Sequence, residues 1–92
     1  MESVRNNEAA NRFELDIDGG EPAVSHYVRR NGTIVFTHTE VPPEHEGQGI
    51  GNTIAKAALD YARSEGLRVV PRCQFIAAFI RRHPEYQDLV DD

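Results

Sequence analysis

Cysteine is nearly absent. Cys73 stands alone, so no internal disulfide can form, and a reducing cytoplasmic setting is the expectation. Long apolar runs are missing too: none approaches the roughly 20 residues of a membrane-spanning helix. The opening Met-Glu-Ser-Val-Arg-Asn-Asn-Glu has no apolar signal core, so no secretory leader is expected. Basic charge is scarce, with 10 Lys and Arg against 15 Asp and Glu and a net charge of −5. A nucleic-acid binder needs a basic face for phosphates, so that class of partner is disfavoured. His26, His45 and His83 do not combine with Cys73 in any C-x-x-C or H-x-x-x-H spacing, so no zinc site is expected. No internal repeat is visible.

What is present fits one small domain. The chain has 92 residues, 39% apolar and 27% charged, which allows a modest core and a marginal stability. Residues 1–11 are polar and Asn-rich and are expected to form a disordered tail, with a single domain over 12–92. Phe13, Leu15 and Ile17 alternate with Glu14 and Asp16, the pattern of a half-buried strand over Arg12–Ile17. A turn is expected at 18–22 and a strand over Ala23–Arg30. Asn31-Gly32 then signals a two-residue hairpin, and Thr33–Val41 forms the returning strand. That loop length pairs Arg30 with Thr33, Val28 with Val35, Tyr27 with Phe36 and Ser25 with His38. One face then carries Tyr27, Ile34, Phe36 and His38; the other carries Val24, Val28, Val35 and Val41. Both are partly apolar, so cover is expected on both sides.

A helix is expected over Ile50–Glu65, burying Ile54, Ala55, Ala58, Leu59 and Ala62 and stopping at Gly66. Leu67–Val70 reads as a short strand, parallel to the preceding one after a right-handed crossover. A second helix, Cys73–His83, turns Phe75, Ile76, Phe79 and Ile80 inward and ends at Pro84. Tyr86, Leu89 and Val90 are left to dock the acidic tail. The fold class is α/β: a mixed sheet, made of an antiparallel meander and one parallel β-α-β crossover, with a helix on each face.

The stretch Val41–Thr53 draws the eye: two prolines end a strand, and Glu46-Gly47-Gln48-Gly49-Ile50-Gly51 leads straight into a helix. A glycine-rich turn at a helix N-terminus is an anion site, because free N–H groups and the helix dipole converge there. No Gly-Lys-Ser/Thr follows, so it is not a P-loop, and Gly-x-Gly-x-Gly with one crossover is not a dinucleotide fingerprint. Two readings stay open: a packing connector, or a pyrophosphate cradle.

The stretch resembles the Gln/Arg-x-x-Gly-x-Gly/Ala acetyl-CoA signature of the Gcn5-related N-acetyltransferases, matching at Gly49 and Gly51 and departing at Glu46. Together with His38-Thr39-Glu40-Val41-Pro42, Val69-Val70-Pro71-x-Cys73 and Arg82-His83-Pro84-Glu85-Tyr86, it is similar to the minimal, roughly 90-residue branch of that superfamily, over about Phe13–Val90. The resemblance implies a reduced acetyltransferase fold that binds acetyl-CoA and acetylates an unidentified amine or protein acceptor. It implies cofactor contacts at Val41, Gly47, Gln48, Gly49, Ile50, Gly51 and Asn52, with the pantetheine arm along the edge of Thr39–Val41.

Cys73 would lie near the thioester. A helix N-terminus favours thiolate, so it could accept the acetyl group; it could also simply line the site or be a buried core residue. His38 and Glu40, two apart on a strand, share a face. His38 could take the amine proton, or it could rest against Ser25 as a satisfied polar residue. His45 could touch a phosphate or sit in solvent. Arg81 and Arg82 could reach the 3′-phosphate or form an exposed helix end. Two other functions remain beside the enzyme: a coenzyme A-binding sensor or partner module without turnover, and a cofactor-free interaction protein. Monomer and weak dimer are both compatible.

Overall fold

The computed structural model describes residues 4–17 and 20–91. Five strands lie in sequential order in one sheet: β1 (Val4–Asn7), β2 (Arg12–Leu15), β3 (Ala23–Arg30), β4 (Thr33–Glu40) and β5 (Arg68–Pro71). The first four are antiparallel, and β4 and β5 are parallel. Helix α1 (Ile50–Ser64) makes the crossover between them, and α2 (Gln74–Arg82) follows β5. The mixed sheet is the expected fold class.

The expected disordered tail is corrected at its centre, where Val4–Asn7 is an edge strand. Its polar side chains have partners. Glu14, 5% exposed, accepts hydrogen bonds from Arg5 (2.8 Å), Asn7 (3.0 Å) and Arg12 (2.5 Å). Asn6 accepts one from the Tyr27 hydroxyl at 2.6 Å. Residues 1–3, and Asp18 and Gly19 of the expected turn, lie outside the described residues.

The amide of Asn7 and the guanidinium of Arg12 hold the Glu14 carboxyl below its ordinary range. A carboxylate with a lowered folded pKa stabilises fully above its unfolded value of about 4.3 and loses that contribution as pH falls through the folded value. Glu14→Gln is therefore expected to cost about 1–2 kcal/mol at pH 7. The gap to wild type should close in acid, as read from urea unfolding at pH 7 and pH 3; a gap independent of pH would contradict it.

The Asn31-Gly32 hairpin sets the register as expected at its near end, with Arg30 against Thr33, Val28 against Val35 and Tyr27 against Phe36. Gly32 takes φ +82°, a conformation that suits glycine. Further out the register shifts: His26 faces His38, and Ser25 faces Thr39 rather than His38. Thr37 is the extra residue, a β-bulge in β4.

The helices also depart from expectation. α1 and α2 touch each other, and their buried side chains join one cluster with Phe13, Leu15, Tyr27, Ile34, Phe36 and Val69. Both helices therefore lie on one face rather than one on each. The opposite face carries cross-strand rows such as Val28–Val35–Val70 and Arg12–His26–His38. Val28 there is 41% exposed.

The stripe of α1 is buried as its spacing required, and Gly66 ends the helix at φ +68°. In α2, Ile76, Phe79 and Ile80 are buried, but Phe75 is 37% exposed. The tail docks as expected. Tyr86 and Leu89 are buried within a 3₁₀ segment, Pro84–Leu89, and the Tyr86 hydroxyl donates to Asp60 at 2.7 Å. Val90 bridges to Val69 in parallel. No helix among the described residues is long and apolar enough to cross a membrane.

Candidate cofactor-binding site

After β4 the prolines divert the chain into a short 3₁₀ turn, Pro43–His45. Gly47 (φ +85°) and Gly49 (φ +78°) then adopt left-handed backbone, which penalises any side chain by about 1 kcal/mol. A Cβ at either position would meet nothing within 4 Å, so this backbone faces open space. Gly49 is the N-cap of α1, and no side chain caps the helix. The amides of Ile50, Gly51 and Asn52 belong to the first turn and have no acceptor within the helix. Thr53 is the first to bond, its amide and its hydroxyl both donating to the Gly49 carbonyl at 3.1 Å. The first turn contains no acidic residue, so the positive end of the helix dipole is uncompensated.

A cavity of about 470 Å³ opens on this terminus. Of the expected cofactor contacts, Val41, Gly47, Gly49, Ile50, Gly51 and Asn52 line it. Gln48 is not among its lining residues; its side-chain oxygen lies 3.2 Å from His45 Nδ1. His45 and Glu46 also line the cavity, as do three residues from the flanking elements: Thr39, Phe75 and Arg82. Arg82 is one of the two arginines weighed from the sequence. Its spacing from Phe75, seven residues along α2, puts both on the side facing the first turn of α1, and its guanidinium lies 3.4 Å from the Asn52 side-chain oxygen. The apolar character of Phe75 predicts an inward side chain; the approach of α1 places it at the cavity instead.

The strands part beside the cavity. β4 and β5 pair from Thr33–Arg68 to Phe36–Pro71, and the Cys73 amide then donates to the Phe36 carbonyl at 2.8 Å. β4 runs on to Glu40 without a β5 partner. The edge from Thr37 onward is thus free of β5, and Thr39 and Val41 on it line the cavity.

The bulge at Thr37 decides which side chains meet. Thr39 turns to the helix side, its hydroxyl 3.0 Å from Ser25 Oγ and 3.3 Å from Cys73 Sγ. Cys73, the N-cap of α2, is only 5% exposed and reaches the cavity through Thr39. His38 and Glu40 point to the opposite, open face. There His38 Nε2 lies 2.9 Å from the Glu40 carboxylate, its ring 6.0 Å from that of His26. The His38 hydrogen bond keeps the Glu40 carboxyl below its ordinary range. The expected Ser25–His38 contact is replaced by Ser25–Thr39, and His38 is not brought beside Cys73. Thr39 stands on the expected Thr39–Val41 edge; no composition signal marks the bulge, so the contact of its hydroxyl with Ser25 and Cys73 is not legible in the sequence.

The donor set fits an anionic group with an apolar arm. Free amides and Arg82 suit a pyrophosphate, and Val41, Ile50 and Phe75 suit an aliphatic chain. Glu46 is the one unfavourable charge; it is exposed. Among the described residues, no group of three or more His, Cys, Asp or Glu side chains is arranged to hold a metal ion.

Comparisons with known proteins agree with this geometry. A GCN5-like protein from Staphylococcus aureus, solved in solution by NMR, superposes with a TM-score of 0.74 at 28% identity, covering 97% of this chain and 87% of that one. Protein NATD1 of zebrafish (Danio rerio) is 28% identical over 92 residues, 95% of this chain and 83% of that protein. Bovine (Bos taurus) Protein NATD1 is 45% identical over 47 residues, so the match spans 51% of this chain and 42% of the relative's length. The model of the GCN5-related N-acetyl-transferase family matches residues 12–89. A match of that extent, over a sheet parted beside a glycine-rich helix N-terminus, places the chain in the GCN5-related N-acetyltransferase family.

Proposed function

We propose that the chain binds acetyl-CoA and transfers its acetyl group to an amine. The observation that carries this reading is the uncapped, acid-free N-terminus of α1 opening into a cavity bounded by the free edge of β4. The amides from Gly47 to Asn52 hold the pyrophosphate, Arg82 adds a cation, and the edge of Thr39–Val41 hydrogen-bonds the amide-bearing arm. When bound, acetyl-CoA supplies an activated thioester: the amine nitrogen forms the new C–N bond, the C–S bond breaks, and coenzyme A leaves as the thiol.

The attacking amine must shed a proton. On this proposal the acceptor amine approaches the gap between β4 and β5 from the open face, where His38 stands with Glu40. In this reading His38 takes the proton and Glu40 orients its ring. Cys73 and Thr39 lie across the strand, lining the acyl end. A buried thiol bonded to Thr39 favours a lining role for Cys73 over a nucleophilic one.

His38→Ala is expected to lower acetyl-CoA-dependent turnover roughly 100-fold while leaving cofactor affinity unchanged. Unaltered turnover would remove His38 from the chemistry. Cys73→Ala is expected to retain most of the turnover, and mass spectrometry of the wild type should find no acetylated Cys73; a stable acetyl-Cys73 adduct would make it the acceptor of a first step. The open face, with no helix among the described residues enclosing an acceptor, also supports a second reading: a coenzyme A-binding module without turnover. Acetylation of any amine in a broad screen rejects that second reading.

A further inference from the structure

Gly51 is the last glycine of the motif, where the approach of a bulky phosphate would by itself explain the missing side chain. Its surroundings say otherwise. A Cβ built on Gly51 falls 2.5 Å from Phe75 Cζ and 3.0 and 3.1 Å from the two Cε atoms of the same ring. Gly47 and Gly49, by contrast, face open space. Gly51 has ordinary helical backbone, so no positive φ demands glycine there. It is also buried, whereas Gly47 and Gly49 are exposed. The space freed at Gly51 is therefore occupied by protein, by the tip of an aromatic ring.

That ring lines the cavity while 37% exposed. An aromatic side chain this open, in the first turn of a helix and wedged over a residue with no side chain, is held where a ligand can touch it. The same cavity is lined by loop glycines and Arg82 and by the apolar side chains of Val41 and Ile50. We infer that Phe75 is a ligand-contacting residue, an aromatic wall for the aliphatic arm of a coenzyme A thioester, and that Gly51 is glycine in order to seat it. This inference rests on the acetyl-CoA reading and assigns it a specificity element on α2. The glycine motif then divides by role: Gly47 and Gly49 shape the anion loop, and Gly51 positions the wall.

A double-mutant cycle separates the two roles of Gly51. Wild-type protein, Gly51→Ala, Phe75→Ala and the double variant are titrated with acetyl-CoA by calorimetry, and each is melted to confirm folding. Alanine is the better helix former, and the ring tip has solvent to move into, so Gly51→Ala is expected to stay folded. It should lose affinity about tenfold, and so should Phe75→Ala. In the Phe75→Ala background, adding Gly51→Ala should cost nothing further. Phe75→Leu, which keeps an apolar group, should recover part of the lost affinity, and all variants should melt close to wild type; a loss of affinity that tracks a loss of melting temperature would mark a purely structural role.

An equal loss from Gly51→Ala with or without the Phe75 ring would show that Gly51 serves the phosphate and overturn the seating role. Phe75→Ala binding as tightly as wild type would overturn the wall. Failure of the wild type itself to bind would instead refute the cofactor reading beneath it, which keeps the two failures distinct. If Gly51→Ala should unfold, Phe75→Ala and Phe75→Leu still decide whether the ring touches the ligand.

Discussion

Asn52→Asp is expected to leave the protein folded and to weaken acetyl-CoA binding by tenfold or more. The substitution changes almost no volume. It places a carboxylate in the first turn of α1, where negative charge stabilises a helix by about 0.3–1 kcal/mol. The melting temperature should therefore hold or rise by a few degrees. Binding should respond in the opposite sense. Asn52 lines the cavity at the helix N-terminus, so a carboxylate there would share the site with a bound pyrophosphate. Two like charges about 6 Å apart at an effective dielectric of roughly 20–40 repel by about 1.4–2.8 kcal/mol, and each 1.4 kcal/mol is tenfold in affinity.

Arg82 enlarges the effect. Its guanidinium already lies 3.4 Å from the Asn52 side-chain oxygen, and a carboxylate there would engage it and withdraw the cation from the ligand. Stability rising while affinity falls is a signature that a general folding defect cannot imitate. Equal affinity in wild type and Asn52→Asp would mean that the anion lies elsewhere.

The largest stability loss is expected at Phe36. Its side chain is fully buried at the centre of β4, its ring 6.3 Å from that of Phe13. Its carbonyl accepts the Cys73 amide at the point where β4 and β5 part. Phe36→Ala removes a large core ring and leaves a void between the sheet and the helices. Such truncations cost about 3–5 kcal/mol, against a total stability of about 5–15 kcal/mol for native domains, and a chain of this size sits low in that range. Thermal melting should fall by more than about 10 °C. Val28→Ala, on the open face, is the control, with an expected change under about 1 kcal/mol. Equal losses at the two positions would contradict a one-sided core.

Much of this fold was legible in the sequence because local signals and long-range packing agreed. The Asn31-Gly32 turn fixed the near register, and the α1 stripe from Ile54 to Ala62 and the Gly66 stop each followed from one rule. Three features were not legible. The β4 bulge has no composition signal: Thr37 is an ordinary strand residue, yet one extra residue there exchanges the faces of His38 and Thr39. Val4–Asn7 has no apolar period, because its polar side chains are satisfied by neighbours distant in sequence, Glu14 and Tyr27. The face away from the helices carries Val28 and Val35, whose apolar character suggested a second layer that the described residues do not build.

The candidate site divides in the same way. The glycine loop was legible because a glycine-rich turn opening a helix has a local mechanism. Phe75 joins it through tertiary packing, as does the contact of the Thr39 hydroxyl with Cys73, and Arg82 could not be told from a solvated helix end until α2 was placed beside α1.

Calorimetric titration of the purified protein with acetyl-CoA tests the central claim most directly. One-to-one binding, weakened at least tenfold by Asn52→Asp, is the expected result. Heat no larger than dilution from a protein shown to be folded would contradict it: the glycine loop would then be a packing turn, and the transferase reading would fall with it.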